Sequence, residues 1–73
     1  MIELYFSNNI LTLDSIELKI ESLEQQSEEI VALNLVNNIY NFQYIVVANE
    51  VKINGVLQTS AQMIIDTLSN GQS

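Results

Sequence analysis

Hydrophobic and polar positions alternate at the front of the chain. Ile2, Leu4 and Phe6 share one face of an extended segment, with Glu3 and Tyr5 on the other. This period of two on strand-forming residues predicts a strand over residues 2–6. Ser7, Asn8 and Asn9 then break the run with turn residues.

The next stretch carries two periods at once. Ile16, Leu18 and Ile20 alternate with Glu17, Lys19 and Glu21, as in a half-buried strand. Leu13, Ile16, Ile20, Leu23 and Ile30 also fall on one stripe at three-four spacing, interrupted only at Ser27. The helical pattern accounts for the longer segment and predicts a helix over residues 13–26. Thr12 or Asp14 would cap it, and Leu18 would lie at the edge of its buried face. Asp14, Glu17, Glu21, Glu24 and Glu28 form a second, acidic stripe one position further round.

Ile30–Val36 is short and rich in strand formers, which predicts a buried strand, with helix as the alternative. Asn37 and Asn38 end it. Residues 39–42 read as a short helical turn or a loop, and residues 44–48 and 51–53 as strands. Asn54-Gly55 between Ile53 and Val56 is the clearest local signal, because both residues tolerate the positive φ of a two-residue hairpin turn. Thr59 and Gln62 have the spacing of a capping box, with Thr59 as N-cap. The helix that follows places Ala61, Ile64, Ile65 and Leu68 on one face, and Asn70-Gly71 supplies a stop. The pattern predicts one domain over residues 1–70 with a frayed tail over residues 71–73. It predicts an α/β (α+β) sandwich: a mixed sheet of about four strands, two main helices and a C-terminal β-hairpin followed by a helix.

Composition narrows the chemistry. The chain has no histidine and no cysteine, and only Lys19 and Lys52 against nine acids, for a net charge of −7. A histidine-assisted nucleophile, thiol redox chemistry and a Cys/His zinc site are therefore closed to a single chain. No calcium-loop spacing is present. These absences point away from an enzyme, and no catalytic, cofactor-binding or metal-binding residue is assigned. The charge opposes direct contact with nucleic acid and with anionic membranes. No apolar run is long enough for a membrane span, and the first residues lack a signal-peptide pattern, so the expected location is cytoplasmic.

Both ends resemble small thioredoxin and glutaredoxin-like domains. Residues 51–57, read as Val-Lys-Ile-Asn-Gly-Val-Leu, with Ser60, Ile64, Ile65 and Leu68 after them, resemble that family's last hairpin and helix. Residues 2–9 resemble its first strand and the approach to its active-site loop. The resemblance implies a small thioredoxin-like sandwich. The departures are specific. Ile10, Leu11, Thr12 and Leu13 stand where the family has C-x-x-C, Asn49 stands where it has a cis-proline, and the spacing from Tyr40 to the hairpin is a few residues too long. Redox function is therefore not inherited. What carries over is a location for partner contact, the loop of residues 7–13 facing Ala48, Asn49 and Glu50.

The expected function is a redox-inactive, non-enzymatic module that binds a protein partner with a basic surface. The alternative is a small acidic inhibitor, of the kind phages encode, that mimics nucleic acid and blocks a basic groove. The candidate contact residues are the acidic stripe Asp14, Glu17, Glu21, Glu24 and Glu28, together with Ile10, Leu11 and Asn49. A solvated helix face is the plain reading of the stripe, although the like charges at Glu17–Glu21 and Glu24–Glu28 have almost no lysine to relieve them. Tyr40, Phe42 and Tyr44 alternate as a groove lining would, with core packing the favoured reading. A homo-oligomer is open, since a chain of 73 residues builds a small core.

Overall fold

A computed structural model describes residues 1–69. Among the described residues the chain forms seven strands and one helix: β1 Ile2–Ser7, β2 Ile10–Leu13, β3 Ile16–Gln25, β4 Ile30–Val36, β5 Asn41–Val47, β6 Val51–Ile53, β7 Val56–Leu57 and α1 Ala61–Ser69. The strands make one mixed sheet in the order β5-β4-β3-β2-β1-β6-β7. β1 and β6 are parallel, and every other neighbouring pair is antiparallel. The thioredoxin-like sandwich of about four strands and two main helices is thereby corrected. The strand expectations at the front of the chain, at Ile30–Val36 and across the Asn54-Gly55 hairpin hold. The expected stop at Asn70-Gly71 and the tail of residues 71–73 lie outside the described residues.

The expected helix over residues 13–26 is instead the end of β2, a tight turn and the whole of β3. Two interruptions of a two-residue period imitate a helical one. The first is the turn at Asp14 and Ser15, with φ of 50° and 70°. The second is a β-bulge, where Ile20 pairs with Leu35 and Ser22 with Asn34, leaving Glu21 as the extra residue. A bulge shifts the inward positions by one. Leu18 and Ile20 point inward before it, and Leu23 after it. The resulting spacing of Ile16, Ile20 and Leu23 is that of a helix face. The ladder to β2 and β4 supplies the backbone partners that a helix would have supplied internally.

Three hairpins close through two residues of positive φ: Asn8-Asn9, Asp14-Ser15 and Asn54-Gly55. Such turns match the right-handed twist of the flanking strands. Asn54 does more than turn. Its Oδ1 accepts from the Phe6 N–H at 2.9 Å, its Nδ2 donates to the Phe6 carbonyl at 2.9 Å, and its own N–H donates to the Leu4 carbonyl at 2.9 Å. The side-chain amide thus extends the parallel β1–β6 ladder. Asn54→Gly keeps the turn geometry and removes both side-chain bonds, so it is expected to cost about 1–3 kcal/mol in a denaturant titration. A loss near zero would mean that the clasp adds nothing.

The sheet must curl. β5 and β6 are five strand spacings apart in the sheet, about 24 Å if it were flat. The three residues joining them reach at most about 14 Å. The concave face is therefore filled as one core, with Leu4, Phe6, Leu11, Leu18, Val31, Leu33, Leu35 and Ile53 among its buried side chains. α1 packs on β3 and β4 and buries Ala61, Ile64 and Leu68, the expected face. Its N-cap is Ser60, whose Oγ accepts from the Met63 N–H at 3.0 Å, and not Thr59. The buried Gln58 amide is satisfied within this corner: its Oε1 accepts from the Thr67 hydroxyl at 3.0 Å and its Nε2 donates to the Val56 carbonyl at 3.0 Å. Ser60→Ala is expected to cost about 1 kcal/mol, read as a lower denaturation midpoint.

Candidate docking cleft

α1 covers only one end of the concave face. The Ala61 N–H donates to the Glu28 carbonyl at 2.9 Å, which anchors the helix start beside the β3–β4 connection. Nine helical residues extend about 13 Å, whereas the ten of β3 extend about 33 Å. Among the described residues, nothing covers the end of β3 that begins at Ile16. There, Leu13, Asp14, Ile16, Leu18, Tyr40 and Phe42 line an open, largely apolar cleft of about 260 Å³.

Local sequence builds this cleft. Leu13 and Ile16 pair across the Asp14-Ser15 turn, so both side chains point to the concave side. The β4–β5 connection is organised by Asn37. Its Oδ1 accepts from the N–H groups of Ile39 at 2.8 Å and Tyr40 at 2.7 Å, and its Nδ2 donates to the Glu17 carbonyl at 3.0 Å. That Asx turn ties the connection to β3 and fixes where Tyr40 stands. Tyr40 and Phe42 meet edge to face, with ring centroids 6.3 Å apart and planes at 87°. Both rings remain exposed, as does Ile16. Core packing, the favoured reading of these aromatics, holds only in part, for Tyr44, which is half-buried against the core.

The cleft has an acidic rim. Burial raises the Tyr44 hydroxyl above its ordinary value of 10.0, and the nearby Asp14 carboxylate raises it further. The protonated phenol is thus favoured by folding. Its contribution is complete below the ordinary tyrosine value and is lost as pH rises through the raised folded value. Asp14→Asn should move the Tyr44 titration back towards 10.0, visible as earlier phenolate absorbance in an alkaline titration. No change would mean that Asp14 does not act on Tyr44.

The other candidate residues are scattered. Asp14 is part of the cleft. Glu17, Glu21 and Glu24 lie exposed along β3, with Lys19 between the first two, and Glu28 is exposed in the β3–β4 connection. The acidic stripe is therefore a line along a strand rather than a helix face. Ile10 is half-buried, and Leu11 is fully buried in the core, which removes Leu11 from any contact surface. Asn49 is exposed with φ of 69°, and its N–H donates to the Gln58 carbonyl at 2.7 Å. The loop of residues 7–13 does not face it. The Ile2 N–H donates to the Glu50 carbonyl at 3.1 Å, so Asn49 and Glu50 lie at the opposite end of β1 from Ser7. Ile16 and Leu13, assigned by sequence to a buried helix stripe, are the cleft residues that sequence reasoning missed. Their alternation with Glu17 and Thr12 was the available signal.

Among the described residues no helix is long and apolar enough to cross a membrane, and no three acidic side chains converge as they would around a metal ion. No family model matches the chain, and no curated protein or solved structure compared with it matches either.

Proposed function

We propose that this chain is a non-enzymatic protein-binding module that seats an apolar side chain of a basic partner in the cleft between the β2–β3 turn and the start of β5. The observation that carries this reading is the pair of exposed rings, Tyr40 and Phe42, packed edge to face over an open apolar hollow with Asp14 at its rim. Exposed aromatics that lose water on contact supply most of the energy of small interfaces. A carboxylate at the rim adds little affinity of its own, but it favours a cationic neighbour and repels an anionic one. The net charge of −7 points the same way.

The acidic-inhibitor reading rests on the line of Glu17, Glu21 and Glu24. Lys19 lies within that line, and the neighbouring positions Ile10, Asn34 and Val36 are uncharged. A phosphate mimic would present unbroken negative charge, so the cleft is preferred.

A photoreactive phenylalanine analogue placed at Phe42, and separately at Glu24, tests the two faces in an extract of the source cells. The expected result is one discrete protein adduct from the Phe42 position, lost when Ile16→Lys is added. An adduct from the Glu24 position alone would reject the cleft and restore the acidic face.

A further inference from the structure

We infer that the edge of β5, which no other strand pairs among the described residues, accepts an extended segment of the basic partner as an eighth strand, so that the segment's inward side chains enter the cleft. This inference rests on the reading of the cleft as a docking site. Edge strands usually carry a device against pairing: shortness, a charge, a proline or a bulge. The opposite edge, β7, has only two residues. β5 has seven, Asn-Phe-Gln-Tyr-Ile-Val-Val, with no charge, proline or glycine, and its ladder to β4 runs without a bulge.

The groups at that edge follow from the ladder. The Asn37 N–H donates to the Tyr40 carbonyl at 2.8 Å and the Ala48 N–H to the Glu29 carbonyl at 2.7 Å. Bonding residues alternate along an antiparallel strand, so Phe42, Tyr44 and Val46 face β4. Asn41, Gln43 and Ile45 then direct their N–H and C=O groups away from the sheet, and all three residues are exposed. An added strand would find a row of unpaired donors and acceptors there. Its residues opposite Phe42 and Tyr44 would point to the concave side, where the cleft is open.

Charge selects the occupant. The edge is neutral, but acids bound it. Asp14 acts on Tyr44 from the concave side, and Glu29 and Glu50 lie at the Ala48 end. Both lysines of the chain, Lys19 and Lys52, are on β3 and β6. A segment with an apolar, alternating centre and lysine or arginine at its ends fits this arrangement. A second copy of the chain fits poorly, because antiparallel pairing of two β5 strands would bring Glu29 and Glu50 of one copy towards Asp14 of the other, between molecules each of charge −7.

The test is amide hydrogen exchange by NMR on the whole protein. The probes are a synthetic peptide of alternating valine and threonine with paired lysines at each end, and the same peptide ended by glutamates. With the lysine-ended peptide, the amides of Asn41, Gln43 and Ile45 are expected to exchange about tenfold more slowly or better, while those of Phe42, Tyr44 and Val46 are unchanged. Gln43→Pro removes one edge donor without touching the β4 ladder, and Ile45→Lys blunts the edge. Both should abolish the slowing while the amides of Phe42 and Val46 stay protected, which shows that the fold is intact. Shifts at Ile16, Tyr40 and Phe42 without edge protection would overturn strand addition and leave the cleft reading standing. Shifts at neither place would overturn both. Equal slowing by the glutamate-ended peptide would overturn the charge assignment. Slowing without peptide that grows with protein concentration would give the edge to a second copy.

Discussion

Leu33→Ala is expected to remove about half of the folding stability of this chain. Leu33 is fully buried in the middle of β4, with Leu23 opposite it on β3 and Tyr44 opposite it on β5. Truncating such a leucine costs about 2–5 kcal/mol, from the lost transfer energy and the cavity left behind. A domain of 73 residues is held by only about 4–11 kcal/mol. Ile45 on β5 is the internal comparison. It pairs with Ala32, points to the convex side and is exposed, so Ile45→Ala should change stability by about 0.5 kcal/mol or less. Denaturant unfolding followed by circular dichroism measures both. Equal losses in the two variants would contradict the assignment of a buried concave face and a wet convex one.

Single-residue deletions in β3 should give opposite outcomes on the two sides of the bulge. Deleting Glu21 joins Ile20 to Ser22 and Leu23, so Ile20 and Leu23 fall on the same face of a regular strand. That variant should stay folded, within about 1–3 kcal/mol of the parent, the order of a local repacking cost. Deleting Lys19 joins Leu18 to Ile20 and puts them on opposite faces. If the bulge is kept, every side chain on one side of the deletion changes face; if the bulge closes instead, Ile20 turns outward and the Glu21 carboxylate is forced inward. Either way Leu18 or Ile20 leaves the core, at about 1.5–3 kcal/mol for each large side chain lost. With β3 in the middle of the order β4-β3-β2, that loss is of the order of the stability of the whole domain, and the chain should be largely unfolded. Thermal melts of the two deletions read this directly. In a helix either deletion would rotate the rest of the segment by the same angle, so equal damage would contradict the strand. The same outcome would also remove the basis for placing Ile16 in the cleft.

The candidate cleft was legible only in pieces. Asp14 was among the residues singled out by charge, and the alternation of Tyr40, Phe42 and Tyr44 was visible in the sequence. What no pattern showed is that, among the described residues, α1 does not extend over the concave face as far as Ile16. Side chains with the spacing of a core therefore remain exposed at one end. Leu11 is the converse case. An apolar residue beside Asn8 and Asn9 resembles an exposed loop tip, yet the two-residue turn returns the chain into the sheet and buries Leu11 opposite Phe6 and Leu18.

By itself the sequence determined the local features whose cause is local. Asn54-Gly55 makes a turn because both residues accept positive φ, and Ala61, Ile64 and Leu68 share a face because a helix repeats every 3.6 residues, although the N-cap fell on Ser60 and not on the expected Thr59. The absence of histidine and cysteine likewise fixed which chemistry one chain is unable to perform. Tertiary structure decided residues 13–26. Their hydrophobic spacing serves a helix and a bulged strand alike, and a window of that length has no information about which neighbours will bond its backbone. Only the approach of β2 and β4 on either side, and the curl that lets three residues join β5 to β6, made the strand the state in which those groups are paired and Leu18, Ile20 and Leu23 are all dry or nearly so.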